Sequence, residues 1–448
     1  MDISDIPPEV LSLILGQLFE YRYEDDPESP IHYGHLRNAR LRVAQNVIIC
    51  SHPEELEIDD DASDVEDWAT EDDGDDNSGH FGVAVNGIVK LPSLKSLQIC
   101  FAKKCLGARD TEWWEDDEKT ESISHRLQTL KTVFGAIQKR RAALDRDNWT
   151  SMIRSLTLKN LQNVPIPEFT SSDLYKDVIK DINELHLMIA HEYNEPGPDH
   201  DLDRIERQTY KPYLQKELLP PLAHQLRSLT LTFRECWGVI PAYFDGKGLV
   251  FPNLKTLTLG EFVIGHHDQF DWVLAQKSLE TLRLDRCFIV SYLRVLNYQW
   301  DEWHIPSHDW HKYSEGSFGF DGAHTFGFSG SWETVYDRIR ESLPKLQEFC
   351  SVYHRYGSTF DRRESMGASL SRFRYITFNS GLCPSPWIEA ENDNGEMLFG
   401  NNDPAVCPRE ATESERYSAK KSLNRAKETE LGDTRAFKDL VREVRKRR

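Results

Sequence analysis

A short apolar pattern, L-x-x-L-x-L, returns along most of this chain and limits what it can build. It occurs at Leu94/Leu97/Ile99, Ile153/Leu156/Leu158, Ile182/Leu185/Leu187, Leu226/Leu229/Leu231, Leu254/Leu257/Leu259 and Leu279/Leu282/Leu284, with weaker copies at Leu346/Phe349 and Phe373/Ile376/Phe378. The last two apolar positions of each copy alternate as side chains do along a strand, so they share one face. Successive copies start 59, 29, 44, 28, 25, 67 and 27 residues apart, which leaves room for a return leg between strands. Several of these legs are helical in period. Ile123, Leu127, Leu130, Phe134 and Ile137 form one amphipathic face, and Phe270/Val273/Leu274 and Trp332/Val335/Tyr336/Ile339 form shorter ones. Stacked copies predict an α/β solenoid with a parallel sheet and a continuous core behind it. An ordinary α/β domain with short parallel strands is the alternative.

The N-terminus reads differently. Ile6-Pro7-Pro8-Glu9 precedes Val10, Leu11, Ile14, Leu15 and Leu18, which fall on one helical face. Pro8 suits a first turn, where its missing N–H costs nothing, and Glu9 complements the helix dipole. A second apolar stretch from Leu36 to Leu41 predicts another short helix, and two such helices cannot bury their faces alone. Val47-Ile48-Ile49 then reads as a strand.

Residues Ile6 to Ile14 and Leu36 to Leu41 resemble an F-box, over about the first 45 positions. Combined with the irregular repeats, plainest at Leu249 to Leu257 and Lys277 to Leu282, the chain resembles the F-box/leucine-rich-repeat proteins abundant in filamentous fungi. The resemblance implies an irregular leucine-rich-repeat-like solenoid behind a short α-helical F-box-like segment. Its domains would be residues 1–45, the repeat region 46–400 with an acidic insertion at 54–76, and a charged tail at 401–448. It also implies a substrate-recruiting subunit of a cullin-based ubiquitin ligase. Ile6, Pro8, Val10, Leu11, Ile14, Leu15, Leu18, Leu36 and Leu41 would contact a SKP-family linker on a cullin scaffold, and the repeats would bind an unknown protein substrate. On that reading the chain has no catalytic residues, cofactor or metal of its own. A repeat-based interaction module without ligase association is the second expectation, and a hydrolase-like enzyme with a site assembled across loops the third.

Charge narrows the partners. The chain holds 54 Lys and Arg against 74 Asp and Glu, a formal charge of -20. Residues 54–76 supply 14 of those acids and no cation, so the acidity belongs to one segment. Nucleic acid is not expected as a partner, because the longest cation run, Arg445-Lys446-Arg447-Arg448, lies at the tail, where it reads as a frayed helix end, a nuclear-import signal or an anionic-surface contact. No apolar run reaches the roughly 18 residues of a spanning helix and the N-terminus is acidic, so a membrane is not expected and an intracellular site, cytoplasm or nucleus, is. The eight cysteines lack a C-x-x-C pair and read as reduced core thiols.

The acidic segment is expected to be a solvated loop, or a regulatory one modified at Ser63 or Thr70. Deleting residues 57–77 removes 12 acids, shifts the formal charge to -8, and should leave the melting temperature nearly unchanged. A large fall in a thermal melt would show that the segment packs.

Three constellations invite chemistry. His304, His308 and His311 have i, i+4, i+7 spacing, but Pro306 breaks the helix that would gather them for zinc, so an aromatic-rich recognition loop is the better reading of Trp300 to Tyr313. Gly265-His266-His267-Asp268 could supply a base or metal ligands, yet Asp268 reads as a helix-start residue. The Gly/Phe stretch from Gly316 to Gly330 has no lysine or phosphate-loop spacing and reads as a loop over the sheet.

Overall fold

In a computed structural model, the structure describes residues 46–50, 85–91, 93–108, 120–144, 151–192, 202–315, 322–353, 370–371, 373–380, 385–389 and 425–448. The F-box-like segment and the acidic insertion lie outside the described residues, as does most of 354–424. The fold is α/β, with a large mixed sheet and eight α-helices among the described residues. The chain divides into two compact units, and strand β6 (Glu184–Ala190) passes from one to the other after Met188.

In the first unit, β1 (Asn46–Cys50), β2 (Ser96–Cys100) and β5 (Ser155–Gln162) pair in parallel, aligning Val47 with Leu97 and Leu97 with Leu156. β3 (Lys104–Cys105) and β4 (Thr120–Glu121) form a separate short pair. Helix α1 (Ile123–Leu144) lays Leu130, Val133, Phe134 and Ile137 inward. Phe134 meets Phe169 of α2 (Pro167–Thr170) edge-on at 5.1 Å and stacks on Tyr175 of α3 (Asp173–Ile179) at 5.9 Å. Arg140, buried on α1, donates to the carbonyls of Ile88 and Ser151, so its charge lies among backbone acceptors.

In the second unit, β7 (Ser228–Trp237), β8 (Thr256–Ile264), β9 (Thr281–Asp285) and β13 (Glu348–Val352) run parallel in one register. Leu229 faces Leu257, Leu257 faces Leu282, and Leu282 faces Phe349. All eight predicted copies are therefore strands, the last being β14 (Tyr375–Asn379).

The solenoid expectation is overturned here. A solenoid repeat touches only the repeats before and after it. On the edge away from β7, strand β8 carries two ladders: Thr256–Gly260 pair with β9, while Val263 and Ile264 pair with β10 (Phe288–Leu296). Strand β10 in turn pairs parallel with β14 and antiparallel with β12 (Ala323–Phe328), which takes on antiparallel β11 (Trp310–Lys312). Antiparallel β15 (Trp387–Ile388) joins β14. The sheet is thus mixed and branched. The cause lies past each repeat: Phe262-Val263-Ile264 and Phe288-Ile289-Val290 continue the buried pattern, so these strands outrun the copy and offer a second edge. Glu261, at φ 59°, marks the bend between the two ladders of β8.

The remaining helices are α4 (Ile205–Tyr213), α5 (Asp271–Leu274), α6 (Asn297–Trp303), α7 (Trp332–Ser342) and α8 (Glu430–Arg447). Helix α8 buries Ala436, Phe437, Leu440 and Val444, and Phe437 meets Tyr336 of α7 at 5.5 Å. Arg447 donates to the carbonyls of Arg340 and Leu343, and Arg448 to Gln347, where α7 ends and its last carbonyls lack helical partners. The basic terminus is in part a helix cap. The Gly/Phe stretch is corrected too: its described part is strand β12, with Ala323, Thr325, Phe326 and Phe328 buried.

Candidate functional site

The nine residues expected to contact a linker (Ile6, Pro8, Val10, Leu11, Ile14, Leu15, Leu18, Leu36, Leu41) lie outside the described residues. Within the second unit, polar chemistry gathers in two places.

The first follows the end of the parallel register. Glu261 and Arg286 come directly after the paired residues Gly260 and Asp285, and both adopt left-handed backbone, φ 59° and 48°. Non-glycine residues held there cost energy and are common at functional positions. The turn brings the Arg286 guanidinium against Glu261 and, at 2.5 Å, against Glu389. It also lies over the Tyr353 ring at 4.9 Å, while the Tyr353 hydroxyl donates to Glu389. Burial alone would lower the Arg286 pKa, but Glu261 and Glu389 outweigh it and hold the group above its ordinary value. Burial pushes the Glu261 carboxyl up, to about 7, against the pull of Arg286.

Alongside stands a second closed network. Arg207 of α4 donates through Nε to Glu192 at 2.5 Å and through a terminal nitrogen to Glu235 at 2.7 Å. Burial opposes its charge, and Glu235 and Glu192 outweigh that. Each arginine is locked by two carboxylates, so neither is poised for an anion, and those carboxylates are not a spare acid/base pair. Cys236 and Cys287 lie close by, and burial pushes both thiols up. An activated nucleophile needs the reverse shift.

Lys211 is the anomaly of this network. Burial, with Arg207 adding repulsion, pushes its amine down to about 7. A neutral lysine can attack a carbonyl, but this one is 3% exposed and sealed from substrate. Its unfolded value is near 10.5, so between about pH 7 and 10 the unfolded chain binds more protons, and stability from this group rises with pH. Below pH 7 the penalty is complete. Lys211→Met is therefore expected to stabilise the protein by about 1–4 kcal/mol at pH 6 and by less at pH 9, as read by urea denaturation at both values.

The second place unites the two histidine motifs. His266 follows β8, fully buried, and the turn before β11 delivers His308 and Asp309 to it. His266 Nδ1 lies 3.4 Å from Asp309 Oδ2, and His308 Nε2 lies 3.5 Å from the same oxygen. The His266 ring stacks between His308 at 4.5 Å and Trp310 at 5.0 Å, with Tyr243 edge-on at 5.2 Å. Burial and the adjacent His308 push the His266 pKa down to about 4. Burial would raise Asp309, but the N–H of His267, 2.9 Å away, and the nearby imidazoles hold its carboxyl below the usual range.

Of the spaced histidines, then, only His308 reaches this group: His304 ends α6 in left-handed backbone and His311 is exposed on β11. Asp268 is not the helix cap; Phe270 occupies that position, and the Asp268 carboxylate lies 3.7 Å from His308. Sequence reading missed Asp309, whose only signal was its place beside His308. The recognition loop itself is ordered as α6 and β11, packed through Trp300, Trp310 and Phe326.

The five described cysteines (Cys100, Cys105, Cys236, Cys287, Cys350) are free thiols, and no described helix is long and apolar enough to cross a membrane. Comparison of the chain with protein-family models, curated proteins and solved structures finds no match.

Proposed function

We propose that the chain is a substrate-recruiting adaptor of a cullin-type ubiquitin ligase, with the F-box-like segment docking a SKP-family linker and the α/β body binding a protein substrate. The observation that carries this reading is Ile6-Pro7-Pro8-Glu9 followed by Val10, Leu11, Ile14, Leu15 and Leu18 on one helical face. Such a face calls for a partner. On the body, Ile205 and Tyr298 are 45% and 50% exposed, and Asp203 accepts from the Tyr298 hydroxyl at 2.9 Å, holding that aromatic in place. A pre-set aromatic at the surface suits protein recognition. The closed arginine–carboxylate networks and the raised thiols favour binding over hydrolysis.

One observation favours the second reading, an interaction module without a ligase. Strand β1 begins at Asn46, with only four residues between it and the Leu36–Leu41 stretch, which is too short a span for a further helix of an F-box.

A single experiment separates the two. Burying each apolar side chain of the face is worth about 1.5–3 kcal/mol, so Leu11→Asp with Ile14→Asp should abolish recovery of linker and cullin in affinity purification while the body stays folded. Linker recovery unchanged by the double variant would refute the docking assignment. Recovery of other partners alone, from the parent chain, would establish the second reading.

A further inference from the structure

We propose that His266, His308 and Asp309 bind one divalent transition-metal ion of the zinc class, joining the end of β8 to the turn before β11. Two imidazoles and a carboxylate are the donor set such ions take, whereas calcium and magnesium prefer oxygen alone. The ligand atoms of the three residues all lie within 4.8 Å of one another.

The spacing agrees with a shared ion. Two donors about 2.0–2.2 Å from a tetrahedral centre stand about 3.3–3.6 Å apart. Asp309 Oδ2 is 3.4 Å from His266 Nδ1 and 3.5 Å from His308 Nε2, so one oxygen stands at that separation from both nitrogens.

An independent observation comes from burial. His266 is fully buried, and neither ring nitrogen completes a well-formed hydrogen bond, a costly state for a polar group. Trp310 stacks on this ring at 5.0 Å and fixes its orientation, as outer contacts do for a ligating histidine. Asp309 is held likewise by the His267 N–H, and Trp310 donates to the Gly265 carbonyl at 2.6 Å, pinning the two segments together.

His308 is the adjustable ligand. It is 54% exposed, and on binding it exchanges its stack on His266 for shared coordination. The remaining position falls to water or to Asp268, 3.7 Å from His308 Nε2. The ion acts as a clasp that stiffens the aromatic hairpin of β11 and β12.

The test is calorimetric titration of the full chain with Zn²⁺, alongside His308→Ala, Asp309→Asn and, as a control, His267→Ala. The first two change partly exposed side chains, and circular dichroism checks that all three variants keep the parent fold. One high-affinity equivalent is expected in the parent and the control, weakened at least about tenfold in each of the other two. Co²⁺ in the same site should give tetrahedral visible bands without a near-ultraviolet sulfur-to-cobalt band. Absence of a stoichiometric site, affinity equal to the parent's in His308→Ala and Asp309→Asn, or a sulfur band would each overturn the proposal.

Discussion

Asp433→Ala is expected to lower the unfolding free energy by about 3–5 kcal/mol, the cost of stripping one partner from a buried ion pair. Asp433 is fully buried in the first turn of α8. Its carboxylate accepts from Arg374 Nε at 2.7 Å, the Tyr375 hydroxyl at 3.0 Å, the Thr429 hydroxyl at 2.7 Å and the Glu333 N–H at 2.8 Å. Through these bonds α8 is fastened both to β14 and to the start of α7. Removal leaves the Arg374 guanidinium, itself 5% exposed, without its counter-charge. Asp433→Asn keeps an acceptor and should cost less. Urea denaturation of both variants checks the ranking, and equal, small losses would mean that α8 contributes little to the folded unit.

Leu257→Ala and Leu282→Ala should each cost about 2–5 kcal/mol, the sum of lost burial and the cavity left behind. Both side chains are fully buried and face each other across β8 and β9. Because they are direct neighbours, the double variant should depart from the sum of the singles, as contacting residues do. Melting temperatures equal to the parent for both singles would refute the register; strict additivity would refute the contact.

The strands were legible because their signal is local. In each copy of L-x-x-L-x-L two apolar residues share one face of a strand, and Leu229, Leu257 and Leu282 show how copies come into line once strands pair. The helix at Ile123 was legible for the same reason. Strand β12 was not, since its alternation changes phase between the buried neighbours Thr325 and Phe326 and its pairing is with β10, some thirty residues earlier in sequence. The histidine site escaped for a related reason. Spacing within one segment suggested His304, His308 and His311, whereas the group that forms draws His266 from one strand end and His308 and Asp309 from another turn.

The amino-acid sequence by itself determined which residues would be apolar strands and helices and how the charge is distributed. Periodicity suffices for those, because it is set by the 2.0- and 3.6-residue repeats of single elements. Only the tertiary structure decided that the sheet branches. Whether β8 ends after Gly260 or continues to Ile264 and takes a second partner depends on which other edges are within reach, and L-x-x-L-x-L carries no record of that. It likewise decided the fate of the charges. Arg207 and Arg286 are sealed into carboxylate networks and His266 is left buried beside Asp309, because burial makes the nearest partner worth far more than it is in water.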